Sequence, residues 1–284
     1  MAVALVAAPG LAKAQPADLF YERTVMTAAQ ARCDLFGPEV AAALASAAAQ
    51  ARGAALRAGT SAATLRDIER TAQAKAAQAG CASPDITLAA GRVRTAFAGF
   101  ARMERLTYPG DLADWRADRG VGHGPRWKLA QEVGFGRDRL AFGLAGQTNP
   151  GMLVAVARFA DGAQPYAARL LLRDDQRSGQ PYLNRWGSGA TADLPLARRL
   201  PPANALKTFT AAARSPAGPE LLPKDAGAGW AFRFPDAAAH ALAGLDPREA
   251  IAVEFLFPDD TVRRAYVEVG DFAAGRAFLQ LASR

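Results

Sequence analysis

A chain of 284 residues, half of them hydrophobic, holds enough apolar material for one large or two modest cores and lies outside the composition of disordered proteins. Its formal charge of +7, from 34 Lys and Arg against 27 Asp and Glu, is spread along the sequence with no basic run interleaved with aromatics, which argues against nucleic-acid binding. Two cysteines and two histidines, not near one another in sequence, match no metal-ligand spacing, and no cofactor is expected.

Ala2 to Ala8 are apolar, Pro9 and Gly10 break the run, and Ala12-Lys13-Ala14 has the small-x-small pattern of a signal-peptidase site before Gln15. Residues 1–14 are therefore expected to be the end of a secretory signal. No positive charge precedes the apolar run, so the signal is expected to start upstream of Met1. No later stretch offers the ~20 uncharged apolar residues of a membrane span.

Residues 15–107 read as a helical domain. Thr24 to Phe36 is a lead-in helix that carries Cys33. Pro38 to Ala58 is an amphipathic helix with Val40, Leu44, Ala48, Ala51 and Ala55 on one face and Glu39, Ser46, Gln50 and Arg57 opposite. Thr60 or Ser61 caps the next helix, which carries Leu65, Ile68, Ala72, Ala76 and Ala79 on a narrow stripe. Two such helices joined by a short loop run antiparallel and are expected to pack through their alanines. Cys81 then returns to the level of Cys33, and a disulfide across the open end is expected; the alternative is two free thiols. Such a bridge would stabilise by roughly 4 kcal/mol on the chain-entropy model. Ser83-Pro84-Asp85 opens a further helix, with Arg94, Arg102 and Arg105 along a basic side that could meet anionic lipid.

Tyr108-Pro109-Gly110 marks a boundary, and residues 108–126 read as a glycine-rich linker or loop. The GVGHGP run within it is neither a P-loop nor a dinucleotide fingerprint. Asp118, Arg119, His123, Arg126 and Trp127 concentrate charge, an imidazole and an indole here and form the candidate binding loop. No catalytic set emerges elsewhere. His240 sits in an alanine-rich helix, and Ser188 has Trp186 where a nucleophile elbow needs glycine.

Residues 127–284 read as an antiparallel β-rich domain. Strands are predicted at 126–133, 139–145, 152–159 and 166–173, separated by turn residues, followed by a Pro/Gly/Arg-rich connection over 174–204. Further strands are predicted at 207–213, 230–234, 251–257 and 262–269, with a short helix opened by Pro235-Asp236 and a last helix capped by Asp271. The order helix, strand, turn, strand and then VGDFAAGRAFL, over about 230–281, resembles the C-terminal end of IalB-type exported proteins, which are β-sandwiches. That resemblance implies an envelope or secreted location and no defined chemistry.

The expectation is thus an α+β protein, with a disulfide-closed helical domain followed by a sandwich-like β domain that ends in a helix. The function expected is a non-catalytic binding role in the bacterial envelope, periplasmic or secreted, toward an envelope protein or an anionic envelope polymer. The alternative is a hydrolase of an envelope polymer using His123 with Asp118 or Asp114, and Trp115, Trp127, Trp186 and Trp230 to grip the substrate.

Overall fold

The computed structural model describes residues 15–120, 124–147, 151–183, 194–224 and 226–280. The signal-like segment, His123, Trp186 and Ser188 lie outside the described residues.

Four helices come first: α1 (Pro16–Cys33), α2 (Pro38–Arg57), α3 (Ala62–Gln78) and α4 (Pro84–Phe97). Proline occupies the first turn of α1, α2 and α4, where its missing N–H leaves no bond unmade. Ser61 accepts from the Thr64 N–H at 3.0 Å and Ser83 from Ile86 at 3.4 Å, which caps α3 and α4. Helix α2 stops at Gly59, whose φ of +94° suits glycine, with Thr60 N–H bonded to Ala55 O.

Cys33 and Cys81 form the disulfide, with Cα atoms 5.5 Å apart. The helix arrangement differs from the alanine hairpin expected. The first helix begins at Pro16 and lies between α2 and α3, bringing Phe20 against Leu56 and Leu65 at one end and Met26 against Leu44 further along. Phe20 of α1 packs with Ala51 and Ala55 of α2, whose small side chains leave room for it. The bridge therefore joins the C-terminal ends of α1 and α3.

Ser46 also departs from expectation, being buried. Its hydroxyl meets Tyr108 OH at 2.9 Å and Ala274 O at 3.0 Å, because α2 is covered on a second side by the last helix, α7 (Phe272–Leu279). At Gly53 a side chain would come within 2.6 Å of the Asp271 carboxylate, so this approach requires glycine. Asp271 precedes α7 but makes no side-chain cap; its carboxylate takes two bonds from Arg57 at 3.0 Å instead.

The β-rich part is a sandwich of two antiparallel sheets. One has seven strands in the order β1-β2-β3-β4-β5-β9-β8, and the other has four in the order β11-β10-β6-β7. The strands of the larger sheet are β1 (Arg105–Tyr108), β2 (Trp115–Asp118), β3 (Arg126–Phe135), β4 (Asp138–Gly146), β5 (Met152–Arg158), β8 (Ala213–Pro216) and β9 (Trp230–Arg233). Those of the smaller are β6 (Ala167–Arg173), β7 (Leu206–Thr210), β10 (Ala250–Leu256) and β11 (Val262–Glu268). Two short helices complete it, α5 (Leu196–Arg199) within the long connection and α6 (Asp236–Ala243) before β10.

Two stretches read otherwise from the sequence. The boundary and linker region contains β1 and β2, with Tyr108 and Trp115 fully buried, since these aromatics pair across the strands and pack inward. The single strand expected at 207–213 is two. Ala211 N–H bonds to Ala168 O in the smaller sheet, and Ala212 N–H bonds to Arg233 O in the larger, so the chain changes sheet between them. The core between the sheets holds Leu129, Phe142, Leu144, Leu170, Phe232, Val253 and Phe255, with α7 closing one end through Phe272 and Phe278.

Candidate functional site

His123 lies outside the described residues; of the other candidate loop residues, Asp118 bonds to Arg126, while Arg119 and Trp127 make contacts elsewhere. Asp118, at the end of β2, accepts from Arg105 Nε at 3.0 Å and Arg126 Nη2 at 3.3 Å on one oxygen, and from Gly120 N–H at 2.7 Å on the other. Lys128, buried at a bulge in β3, donates to Gly120 O at 2.9 Å, so both backbone groups of Gly120 are tied down. Burial, followed by the charge of Arg126, holds the Lys128 pKa below its ordinary value.

Arg119 turns the other way. It donates to Phe100 O and Met103 O and lies 4.0 Å from the Phe278 ring centroid, packed over the edge of the core. Burial lowers its pKa. Trp115 is core, with Nε1 bonded to Val269 O at 2.9 Å. Trp230 is half-buried and carries the Arg214 guanidinium 3.6 Å from its ring. Asp174 and Asp259 accept backbone N–H groups two residues on, the ordinary work of aspartate in turns. His240 is exposed and bonds to Asp236 O and Arg276.

Trp127 lines a cavity. A groove of about 510 Å³ lies on the outer face of the seven-stranded sheet. The alternation of β4 sends Leu140, Phe142 and Leu144 into the core and leaves Arg139 and Ala141 outside; β5 does the same with Val156 and Arg158. The short 3-10 turn Pro219–Leu221 folds over this face and is fastened by Trp127 Nε1 donating to Leu221 O at 3.1 Å. Trp127, Leu221 and Leu222 thereby pack on Val154, Val156 and Ala231, making a small second core whose open end is the groove.

At that open end Arg139 and Arg158 are directly opposite on β4 and β5. Arg139 donates to the carbonyl of its neighbour Asp138 at 3.0 Å, and Arg158 has no hydrogen bond or ion pair among the described residues. Glu132, also in the groove, is bonded to Arg116 at 2.7 Å. Glycines flank the two arginines, Gly134 on β3 and Gly229 immediately before β9. A side chain at Gly134 would approach Arg139 Nη1 to 3.2 Å, and one at Gly229 would meet Leu222 at 3.0 Å and Arg158 Cγ at 3.2 Å. Sequence reading missed this pair. The signal available was the alternation of each strand, which sets both arginines on outer positions.

A buried ionic network occupies the end of the sandwich nearest α2. Glu268, fully buried, accepts the backbone N–H groups of Asp111, Leu112 and Ala113 at 2.7, 2.8 and 3.1 Å. Arg199, also fully buried, reaches Asp111 at 3.1 Å. Arg173 grips Glu249 with two bonds at 2.7 and 2.9 Å, and burial raises the Glu249 pKa against that partner's pull. These contacts are shared among strands, loops and helices and hold the scaffold.

Among the described residues no group of three or more His, Cys, Asp and Glu side chains could hold a metal ion, and no helix is long and apolar enough to cross a membrane. No protein-family model, curated protein or solved structure matches the chain.

Proposed function

We propose that this is an exported, non-catalytic binding protein of the bacterial envelope, acting outside the reducing cytoplasm on an anionic envelope component. The observation that carries this reading is the commitment of Asp118. Both its oxygens hold the β2–β3 connection together through Arg105, Arg126 and Gly120, so the carboxylate serves as a fastening and not as an acid or base poised for a substrate. The Cys33–Cys81 bridge supports an oxidising compartment, where disulfides persist. The placement of two arginines with no carboxylate beside them supports an anionic ligand: Arg139 and Arg158, directly opposite on β4 and β5, have no carboxylate partner among the described residues.

The test is sedimentation of purified, oxidised protein with isolated bacterial envelopes, with soluble fragments assayed over time. Binding that weakens as salt is raised, with no fragments released, is expected. Absence of binding, or steady release of sugars or peptides, would overturn the reading, and the second outcome would indicate a hydrolase.

A further inference from the structure

We infer that the groove beside Trp127 is a binding site for a single amphiphilic anion, its carboxylate or phosphate held between Arg139 and Arg158 and its apolar part laid against Val156, Leu221, Leu222 and Trp127. The inference rests on the binding-protein reading and gives it a ligand class.

Three features of the groove support this assignment. Like charges directly opposite on antiparallel strands are destabilising, yet the fold keeps two guanidinium groups in that register with no carboxylate answering them among the described residues. An arginine fork matches the two oxygens of a carboxylate or phosphate, and two forks side by side present more donors than water-exposed isolated arginines can bring to one anion. The flanking Gly134 and Gly229 keep the lane clear of side chains on both sides of the pair.

The rest of the groove has the opposite character. Val156 and Ala141 form its floor, and Leu222 and the fixed Trp127 indole form its wall, so an apolar body continuous with the anionic head would lose contact with water along its length. A volume of about 510 Å³ lies within the range of small-molecule sites, roughly 300–1,000 Å³. The wall made by residues 219–223 stands beside the sheet face, so an apolar chain lying in the groove meets side chains on two sides, which a flat lipid surface does not match. A monomeric acid therefore fits it better than a bilayer.

Calorimetric titration of the oxidised protein with decanoate, decanol and inorganic phosphate tests this. Decanoate is expected to bind at least tenfold tighter than either decanol or phosphate, since each of those supplies half of the required chemistry. The Arg139→Gln/Arg158→Gln variant is expected to lose at least tenfold in decanoate affinity. Its melting temperature should be no lower than that of the parent, because a like-charge pair has been removed, and this separates lost binding from lost folding. No decanoate binding, equal affinity in the variant, phosphate binding as tight as decanoate, or binding only to vesicles of anionic lipid would each overturn the inference. Envelope association without decanoate binding removes this site and leaves the binding-protein reading. Decanoate binding without envelope association does the reverse.

Discussion

The helical unit and the sandwich solve the same problem by different means. In α1, α2 and α3 the buried apolar side chains are mostly alanine, among them Ala29, Ala43, Ala51, Ala55, Ala72 and Ala76, with Phe20, Met26, Leu44, Leu56 and Leu65 as the larger exceptions. The sandwich buries Trp115, Phe142, Phe232, Phe255, Phe272 and Phe278, and it links Phe135, Phe159, Phe255 and Phe257 edge to face. Burial stabilises in proportion to apolar area, about 25 cal/mol per Å², so alanine helices gain little per residue. The covalent tie sits in the poorer core. Every charged residue that is buried among the described ones belongs to the β-rich part, where the surrounding area can offset the desolvation of ions.

The sharpest way to break this comparison is to strand one of those ions. Arg173→Met leaves the fully buried Glu249 with only the Asp246 N–H, and a loss of about 3–5 kcal/mol is expected at neutral pH. Burial already raises the Glu249 pKa, and losing Arg173 raises it further. A carboxyl whose folded pKa exceeds its unfolded value costs stability as pH rises from the unfolded value through the folded one, so the deficit should shrink on acidification toward pH ~5. Urea midpoints across that range check this, and Arg173→Met/Glu249→Leu should recover most of the loss. A single variant within ~1 kcal/mol of the parent would mean that the sandwich does not depend on the pair.

Replacing the bridge tests the other region. Cys33→Ala/Cys81→Ala should cost roughly 4 kcal/mol on the chain-entropy model, with amide exchange accelerated in α1, α2 and α3 and unchanged in β4, β5 and β10. Equal acceleration in those strands would show that both regions unfold as one unit.

The same contrast explains which parts of the structure were legible in the sequence. Strands β3 to β6 declare themselves because one face of each meets a core and the turns between them carry Gly, Asn, Asp and Pro. The disulfide was readable because helix lengths alone return Cys81 to Cys33. The place of α1 between α2 and α3 was not, since an alanine stripe is equally compatible with any partner. Ser46 read as a solvent-facing residue because its acceptor, Ala274 O, lies 228 positions away. Asp118, Arg119 and Arg126 drew attention as a cluster of charge in a glycine-rich loop, and each of the three is hydrogen-bonded within the chain. Alternation shows that Arg139 and Arg158 face outward, but their juxtaposition depends on the β4–β5 register, and the groove depends on a wall from residues 219–223.

Tyr108 joins the two regions and gives the subtlest test. The Ser46 hydroxyl has one proton, which goes to Ala274 O, so Tyr108 must donate to Ser46 Oγ. Burial pushes the Tyr108 phenol up to about 12. Since the folded pKa lies above the ordinary value near 10, the stability this group contributes is complete below pH ~10 and is lost as pH rises through 12, a change of about 2–3 kcal/mol. Lys128, whose pKa is lowered by burial, acts in the opposite sense over alkaline pH, so the parent curve alone mixes the two. Comparing urea midpoints of the parent and Tyr108→Phe from pH 8 to 12 isolates the tyrosine. The variant should be about 1 kcal/mol less stable at neutral pH and overtake the parent in strong alkali. A constant offset between the two curves would mean that the phenolate is tolerated at the junction, and that α2 is held to the sandwich by the Arg57–Asp271 pair rather than by Tyr108.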